Sequence, residues 1–321
     1  MGELKLGIAL WSQASDWRDF LDAATDAERL GYDHIWTWDH LYAIFGDPHQ
    51  PIWEGYSALA AIAQATERAR IGLFVGANTF RNPGLVAKSM TTIDHISGGR
   101  AVVGIGGAWF EPEHRAFGLD FGTGHGQRLG WLAEAVPAIR TLLDGGEVTS
   151  PPGGRYGFDH LRLEPPPAQD HMPIMIGGSG EKKTLRIVAG YADIWNAFGT
   201  PEKLKRKDDI LRAHCADVGR DPDAIERTVG CKITIRRTAE EAEQARRRIL
   251  AHNRTPLESV EGDETFWTGT PEQIAETMAG YREIGFDTFI CEVPAPYDRE
   301  TLESFVNVVK PMVAGASTSK V

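Results

Sequence analysis

A glycine-rich turn in the middle of the chain is the first segment whose residue types could do chemistry. Residues 174–176 form an apolar run typical of a buried parallel strand, and the glycine-rich residues 177–180 follow before a helical pattern begins. Glycines leave backbone N–H groups uncovered, Ser179 could cap the helix, and the positive end of the helix points into the turn. The turn could therefore bind a phosphate. It could equally be a tight strand-to-helix turn without a ligand.

A second candidate is the adjacent pair Asp39 and His40, which follows a predicted strand at residues 34–38. An imidazole exchanges protons near neutral pH, and a neighbouring carboxylate can fix its tautomer or hydrogen-bond to a cofactor ring. The pair therefore suits proton transfer or the stabilisation of developing charge. The alternative interpretation is a pair that only caps a loop.

The elements that must position these residues alternate along the chain. Strand-like apolar runs occur eight times, and each is followed by apolar residues at helical spacing. The predicted strands lie at about residues 4–10, 34–38, 69–75, 101–105, 174–176, 193–198, 227–235 and 287–293. This order predicts an α/β fold, a (β/α)8 TIM barrel with insertions in the βα loops. We expect a single domain over residues 1–321, with its core at about 4–313 and a disordered tail at about 314–321.

In such a barrel the active site is built from the loops at the carboxyl ends of the strands. The residues expected there are mostly aromatic, glycine or uncharged, which suits a flat ring with a phosphate better than a metal ion. They are Trp11, Asp39, His40, Gly76, Ala77, Asn78, Gly106, Gly107, Trp109, Gly177, Gly178, Ser179, Gly180, Trp195 and Asn196. No HxH or HExxH motif occurs, and we predict no metal site. Residues 113–115 are expected to begin a short surface helix, and the segment leading to Thr268 is expected to be irregular.

Composition restricts the class of partner. The formal net charge of -11 argues against nucleic acid or an anionic membrane surface. Three widely spaced cysteines indicate neither a disulfide framework nor a metal knuckle. No run of 18 apolar residues occurs, and the amino-terminal residues lack a long apolar core. We expect a cytoplasmic protein that acts on a small molecule, and the apolar helical faces permit a homodimer.

Five sequence blocks carry a resemblance to a known family. They are WTWDH (36–40), TFRNPGLVAKSMTTIDHISGGR (79–100), GIGGAWFEPEHRAFGLDF (104–121), PIMIGGSGEKKTLRIVAGYADIWN (173–196) and TGTPEQI (268–274). Together they resemble the bacterial luciferase-like oxidoreductase superfamily, and more narrowly its branch that uses the deazaflavin coenzyme F420. The resemblance runs from about residue 5 to residue 312. It implies the same barrel, with the cofactor ring stacked in the mouth at the strand ends.

The resemblance also implies positions for the cofactor. The Asp-His pair matches the pair beside the deazaflavin ring, and the third strand matches a bulge with a non-prolyl cis peptide, expected at Phe74–Val75. The fourth-strand turn matches the turn beside the ring, and the glycine-rich turn matches a phosphate clamp. The implied cofactor-binding residues are Asp39, His40, Phe74, Val75, Gly76, Ala77, Gly106, Gly107, Gly177, Gly178, Ser179 and Gly180.

One departure concerns the substrate. The sugar-phosphate dehydrogenases of this branch have a glutamate near the position of Trp109, where this chain has no carboxylate. The resemblance therefore implies neither a sugar-phosphate substrate nor a catalytic glutamate at this position. Trp11, Trp109 and Trp195 are expected to wall the substrate side, or else to be packing residues of the barrel.

The resemblance implies hydride transfer between ring carbon five of F420 and a small organic substrate. Reduction of an enone or imine and oxidation of an alcohol both fit. His40 is the expected proton donor, acceptor or charge stabiliser, with Asp39 in support. The first alternative is an FMN-dependent two-component monooxygenase of the same superfamily, and the second is a barrel that binds a ligand without catalysis.

Overall fold

Eight parallel strands close into a barrel in the computed structural model, which describes residues 2–316. The ten strands are β1 (Lys5–Leu10), β2 (His34–Thr37), β3 (Arg70–Leu73), β4 (Gly76–Ala77), β5 (Ala101–Gly106), β6 (Ile174–Gly177), β7 (Ile194–Ala197), β8 (Glu226–Ile235), β9 (Phe266–Gly269) and β10 (Thr288–Val293). The barrel runs through β1, β2, β3, β5, β6, β7, β8 and β10, and β10 pairs with β1 to close it. The predicted (β/α)8 barrel is therefore confirmed.

Helices connect the strands, and local signals set their ends. They are α1 (Trp17–Leu30), α2 (Gly55–Ala65), α3 (Pro83–Ser97), α4 (Glu111–Phe117), α5 (His125–Leu143), α6 (Thr184–Tyr191), α7 (Pro201–Val218), α8 (Ala239–His252), α9 (Pro271–Arg282), α10 (Arg299–Ser304) and α11 (Lys310–Ala316). For example, Asn82 caps α3 ahead of Pro83, and Thr270 forms a capping box with Gln273 at the start of α9. No helix within residues 2–316 is long and apolar enough to cross a bilayer.

Two apolar layers hold the barrel together. The larger layer lies between the strands and the helices, and a smaller one fills the barrel interior. Trp36 is the largest side chain of the interior layer and is fully buried. A Cβ at Gly72 on the neighbouring strand would collide with the Trp36 ring, so the glycine makes room for the indole.

One strand lies where the sequence predicts irregular chain. β9 pairs in parallel with residues 232–235, the second half of β8. The barrel neighbours of β8 pair with residues 226–232 alone, so its long second half has a free edge that β9 occupies. β9 has only two apolar residues in a row, Phe266 and Trp267, so no apolar run indicates a strand and the expectation for this segment is wrong.

The carboxyl end of the described chain is helical. A π-helical turn (Phe305–Val309) joins α10 to α11, which continues to Ala316. The first residues of the expected disordered tail, 314–316, are therefore part of a helix. The remainder of that tail, residues 317–321, lies outside the described residues.

Candidate active site

A cavity of about 510 Å³ opens at the carboxyl ends of the barrel strands. Its volume is in the range of small-molecule sites. One side is formed by the β3–β4 connection and by glycines after β5 and β6. The other side carries aromatic and charged side chains. The residues that line it include Trp38, Asp39, His40, Phe45, Phe74, Val75, Gly76, Ala77, Gly106, Gly107, Trp109, Glu113, Gly177, Gly178, Phe198, Lys232 and Glu292.

The glycine side of the cavity is shaped by Val75. The Phe74–Val75 peptide bond is cis, as the resemblance implies. A Cβ at Gly106 or at Gly177 would lie 2.8 Å from Cγ2 of Val75. Only glycine fits at these two positions beside Val75, and a surface without their side chains can accept a flat ring.

His40 also lines the cavity, and Glu113 holds its ring. Its Nδ1 lies 2.9 Å from Oε1 of Glu113, whose other oxygen accepts the backbone N–H groups of Leu41 at 2.8 Å and Tyr42 at 3.3 Å. A carboxylate only accepts, so Nδ1 carries a proton and Nε2 is left to exchange one. Within residues 2–316, Nε2 has no hydrogen-bond partner. The arrangement suits proton transfer at Nε2.

Glu113 corrects two sequence-based expectations. The short helix predicted at residues 113–115 is present as α4 and Arg115 is exposed, but Glu113 is 1% exposed and His114 is fully buried. The cavity also has a carboxylate close to Trp109 after all, because α4 turns Glu113 inward four residues later. Glu113 lies 73 residues from His40 in the sequence, so no local pattern predicts their contact.

Asp39 lines the cavity but does not support His40. Its carboxylate accepts the backbone N–H of Ala77 at 2.9 Å, and Nη1 of Arg81 donates to both oxygens at 3.0 and 2.8 Å. Burial raises the pKa of Asp39, although the neighbouring Arg81 opposes this. Asp39 therefore ties the end of β2 to β4, and the support expected from it for His40 comes from Glu113.

The three tryptophans expected on the substrate side differ in position. Trp109 lies at the mouth, 60% exposed, with its ring edge-on to His40 at 5.8 Å between centroids. Trp11 is buried and stacks on Phe45, and its indole N–H donates to Glu292. Trp195 is also buried, and its indole N–H donates to the carbonyl of Gly178 at 2.8 Å. Neither Trp11 nor Trp195 lines the cavity, so the packing alternative applies to these two.

The backbone N–H groups of the glycine-rich turn differ in their hydrogen bonding. The N–H of Gly178 donates to the carbonyl of Asn196 at 3.0 Å and is therefore not available. The N–H groups of Ser179 and Gly180 have no acceptor within the described chain. Ser179 does not cap α6, because a turn over residues 181–183 separates it from the helix start at Thr184. The two uncovered amides fit a phosphate oxygen.

Charged residues on β8 and β10 were missed by sequence reasoning. Lys232 and Glu292 both line the cavity and are directly paired in the β8–β10 register. The sequence signal that could have identified them is the charged residue within each otherwise apolar strand. Lysine and glutamate are rarely buried without a partner, so their presence there indicates a functional or paired group. Across residues 2–316, no group of three or more histidine, cysteine, aspartate or glutamate side chains could hold a metal ion.

Comparison with known proteins assigns the family. The sequence profile of the family described as luciferase-like monooxygenase matches residues 5–288. The chain belongs to this family. The resemblance to the luciferase-like superfamily, predicted from the sequence blocks, is therefore confirmed.

Relatives of this luciferase-like protein use two kinds of cofactor. The FMNH(2)-dependent dimethylsulfone monooxygenase of Pseudomonas putida is 25% identical over 319 residues, covering 89% of this chain and 85% of that protein. The F420-dependent glucose-6-phosphate dehydrogenase of Amycolatopsis mediterranei is 28% identical over 190 residues, covering 59% and 54%. An uncharacterized protein of Mycobacterium tuberculosis is 29% identical over 175 residues. The chain spans 60% of the length of that mycobacterial relative.

A solved structure shares the fold along nearly the whole chain. An F420-dependent secondary alcohol dehydrogenase in complex with an F420-acetone adduct superimposes with a TM-score of 0.83 at 20% identity. The match covers 97% of this chain and 99% of that one. At 20% identity, this similarity shows that the two proteins share the barrel fold. It does not show which cofactor this chain binds.

Proposed function

We propose that this luciferase-like protein is an F420-dependent oxidoreductase. It transfers a hydride between ring carbon five of the deazaflavin and a small organic substrate, by enone or imine reduction or by alcohol oxidation. The observation that carries the proposal is the His40–Glu113 pair, which lines the same cavity as the glycines packed beside Val75. Hydride transfer to or from a carbonyl carbon moves a proton at the oxygen, and this pair can exchange that proton.

The residues present fit the cofactor. Gly106, Gly177 and the Phe74–Val75 connection would lie under the ring, and the amides of Ser179 and Gly180 would bind the phosphate. When bound, the deazaflavin supplies or accepts the hydride. Asp39 holds the β4 strand beside the ring through the N–H of Ala77.

The protein's own part of the reaction is positioning and proton transfer. Nε2 of His40 gives or takes the proton at the substrate oxygen, or at the nitrogen of an imine, while Glu113 fixes the ring through Nδ1. Trp109 and Phe45 border the space beside His40 and restrict the access of water. The substrate is a small molecule, and the cytoplasmic location and the homodimer remain predictions.

The alternative is an FMN-dependent two-component monooxygenase. A flat ring site and a phosphate turn suit FMN as well, and the relative with the longest match described above uses FMNH2. The two cofactors are separated by titrating each against the purified protein and following fluorescence. We expect F420 to bind at least about tenfold more tightly than FMN. Yellow FMN retained through purification, with no F420 binding, would replace the proposal by this alternative.

Catalysis is tested by turnover with reduced F420 and a panel of enones, imines and ketones, and with oxidised F420 and alcohols. His40→Ala is expected to lower kcat by roughly 10²–10⁴-fold, because it removes the acid–base group. Tight cofactor binding without turnover of any substrate would favour a barrel that only binds its ligand. Unchanged turnover of His40→Ala would leave His40 with a structural role.

A further inference from the structure

We propose that Lys232 and Glu292 form a recognition site for an uncharged hydroxyl group of the substrate. The inference rests on the proposed function, because it assumes that a cofactor ring covers the glycine side and leaves this side for the substrate. Lys232 and Glu292 lie on the last two barrel strands, across the barrel from the β3–β4 connection and β5. Nothing in the acid–base role of His40 uses them.

Lys232 has hydrogen-bonding capacity that the protein does not use. The residue is 8% exposed, and its Nζ donates to Oγ1 of Thr265 at 3.0 Å. The carboxylates of Glu292 and Asp263 lie 3.7 and 4.0 Å from Nζ, beyond hydrogen-bond distance. An ammonium group has three N–H donors, so two have no acceptor within residues 2–316. Burying an ionised donor without an acceptor is unfavourable, so these donors favour an acceptor in the cavity.

The surroundings of the ammonium are otherwise apolar. The rings of Phe45, Phe198 and Phe266 lie with their centroids 5.8, 5.5 and 4.9 Å from Nζ. These rings attract the cation through their faces but accept no ordinary hydrogen bond. A substrate acceptor is therefore favourable beside the ammonium, because few protein acceptors surround it.

Glu292 supplies the matching acceptor. It is 5% exposed, and its Oε2 accepts the indole N–H of Trp11 at 3.0 Å. Within the described chain no hydrogen-bond donor reaches Oε1, the oxygen that lies 3.7 Å from Nζ of Lys232. One donor and one acceptor thus lie side by side in the same cavity. A hydroxyl group both donates and accepts, so a single oxygen can satisfy both, whereas a carbonyl oxygen only accepts and an ammonium group only donates.

The local charge excludes an anionic group. The charges of Lys232 and Glu292 cancel, and Asp263 adds a further negative charge 4.0 Å from the ammonium. A phosphate or carboxylate would meet two carboxylates and one ammonium, which is repulsive in sum. The geometry therefore points to a neutral substrate with an apolar body and a hydroxyl group, which packs on Phe45 and Phe198.

The test compares two probes that differ in one group. The tertiary alcohol 1-methylcyclohexanol, which cannot be oxidised to a ketone, is titrated against 1-methylcyclohexanecarboxylate by ligand-observed NMR on the full chain, with and without F420. We expect the alcohol to bind at least about fivefold more tightly. Lys232→Met should weaken alcohol binding by about tenfold, since a hydrogen bond to a charged group is lost. Glu292→Gln should reduce the discrimination against the carboxylate.

Lys203→Met is the matched control, because Lys203 is exposed and pairs with Glu264 outside the cavity. It should leave both probes unaffected. Equal binding of the two probes by the unmodified protein, or an unchanged preference in both Lys232→Met and Glu292→Gln, would overturn the proposal. So would a loss of F420 affinity in Lys232→Met with alcohol binding intact, since the ammonium would then serve the cofactor. If the protein binds neither F420 nor FMN but its Lys232-dependent alcohol preference persists, the proposed function fails and this site stands.

Discussion

At the scale of single residues, the chemistry of the site depends on which carboxylate meets His40. Asp39 is the neighbour in sequence, but its oxygens are taken by Arg81 and by the N–H of Ala77. Glu113 reaches Nδ1 of His40 and is itself fixed by two backbone N–H groups. A carboxylate held in this way orients the ring without needing to move during the reaction.

Replacing Glu113 by Gln should lower kcat with little change in KM. The amide keeps the shape of the side chain but can donate to Nδ1, which favours the tautomer with the wrong nitrogen protonated. Loss of a hydrogen bond to a charged group is worth about 1.5–3 kcal/mol, or roughly 10–150-fold in rate. Steady-state kinetics with F420 and a turned-over substrate measure this.

The control for this prediction is Glu111→Gln. Glu111 lies in the same turn of α4, but its side chain is exposed and contacts neither His40 nor the cavity. Its kcat should equal that of the unmodified protein. A Glu113→Gln protein with normal kcat would show that His40 needs no carboxylate partner.

At the scale of elements, the glycine side of the cavity is formed by strands that pack closely around Val75. Strand β5 and strand β6 each place a glycine against the Val75 side chain, at Gly106 and Gly177. A side chain at either glycine would overlap the valine methyl groups. The flat surface offered to a cofactor ring is thus set by three elements together and by no one of them alone.

Gly177→Ala should destabilise the protein, and Val75→Ala should restore much of the loss. Overpacking a well-packed site costs typically about 1–3 kcal/mol. The added methyl group would meet Val75 Cγ2 at 2.8 Å and Cγ1 at 3.2 Å, both of which Val75→Ala removes. Urea unfolding of the two single variants and the double variant gives the coupling free energy.

Gly104→Ala provides the contrast. Its Cβ would collide with the carbonyl oxygen of Leu73, a backbone atom that Val75→Ala leaves in place. The double variant of Gly104→Ala and Val75→Ala should therefore stay as unstable as Gly104→Ala alone. If Val75→Ala rescues neither glycine variant, the packing explanation for the glycine side is wrong.

At the scale of the whole molecule, binding and stability are linked. A ligand that binds the folded chain alone stabilises it by about 2.7 kcal/mol when present at 100 times its Kd. For a protein of this size that corresponds to a rise in Tm of roughly 4 °C. We expect F420 to produce such a shift in a thermal unfolding experiment. A shift produced by FMN and not by F420 would contradict the proposed cofactor.

A buried histidine at the start of β2 should contribute to the response of the protein to acid. His34 lies at the start of β2, and burial lowers its pKa from 6.5 to about 4 despite the nearby Glu226 carboxylate. In the unfolded chain His34 is protonated below about pH 6.5, whereas in the folded chain it is protonated only near pH 4. Acid therefore favours unfolding across this interval. Between pH 7 and pH 5 this contributes up to about 2 kcal/mol of lost stability.

His34→Gln should make the free energy of unfolding less sensitive to pH between 7 and 5. Urea unfolding at both pH values measures the difference. His171→Gln is the control, because His171 is exposed beside Asp193 and should leave the pH dependence unaltered. An equal loss of stability in acid for His34→Gln and the unmodified protein would exclude His34 as the cause.

The sequence by itself determined the barrel, the position of its mouth and two of its chemical groups. Strand and helix periods are local properties, so the eight repeats and their order can be read along the chain. The same holds for His40 at a strand end and for the position of the glycine-rich turn, because both follow directly from neighbouring residues. The site of the cis peptide came from family resemblance and agrees with the structure.

Only the tertiary structure decided which side chains meet. The contacts His40–Glu113 and Trp11–Glu292 join residues 73 and 281 positions apart, and the β8–β10 register brings Lys232 beside Glu292. Such pairs depend on strand register and on the inward turn of α4, and neither leaves a periodic pattern in the sequence. The same reason explains why Trp11 and Trp195 pack behind the cavity although their strand ends lie at its rim. A strand places a residue at the mouth, but the neighbouring strands and helices decide where its side chain packs.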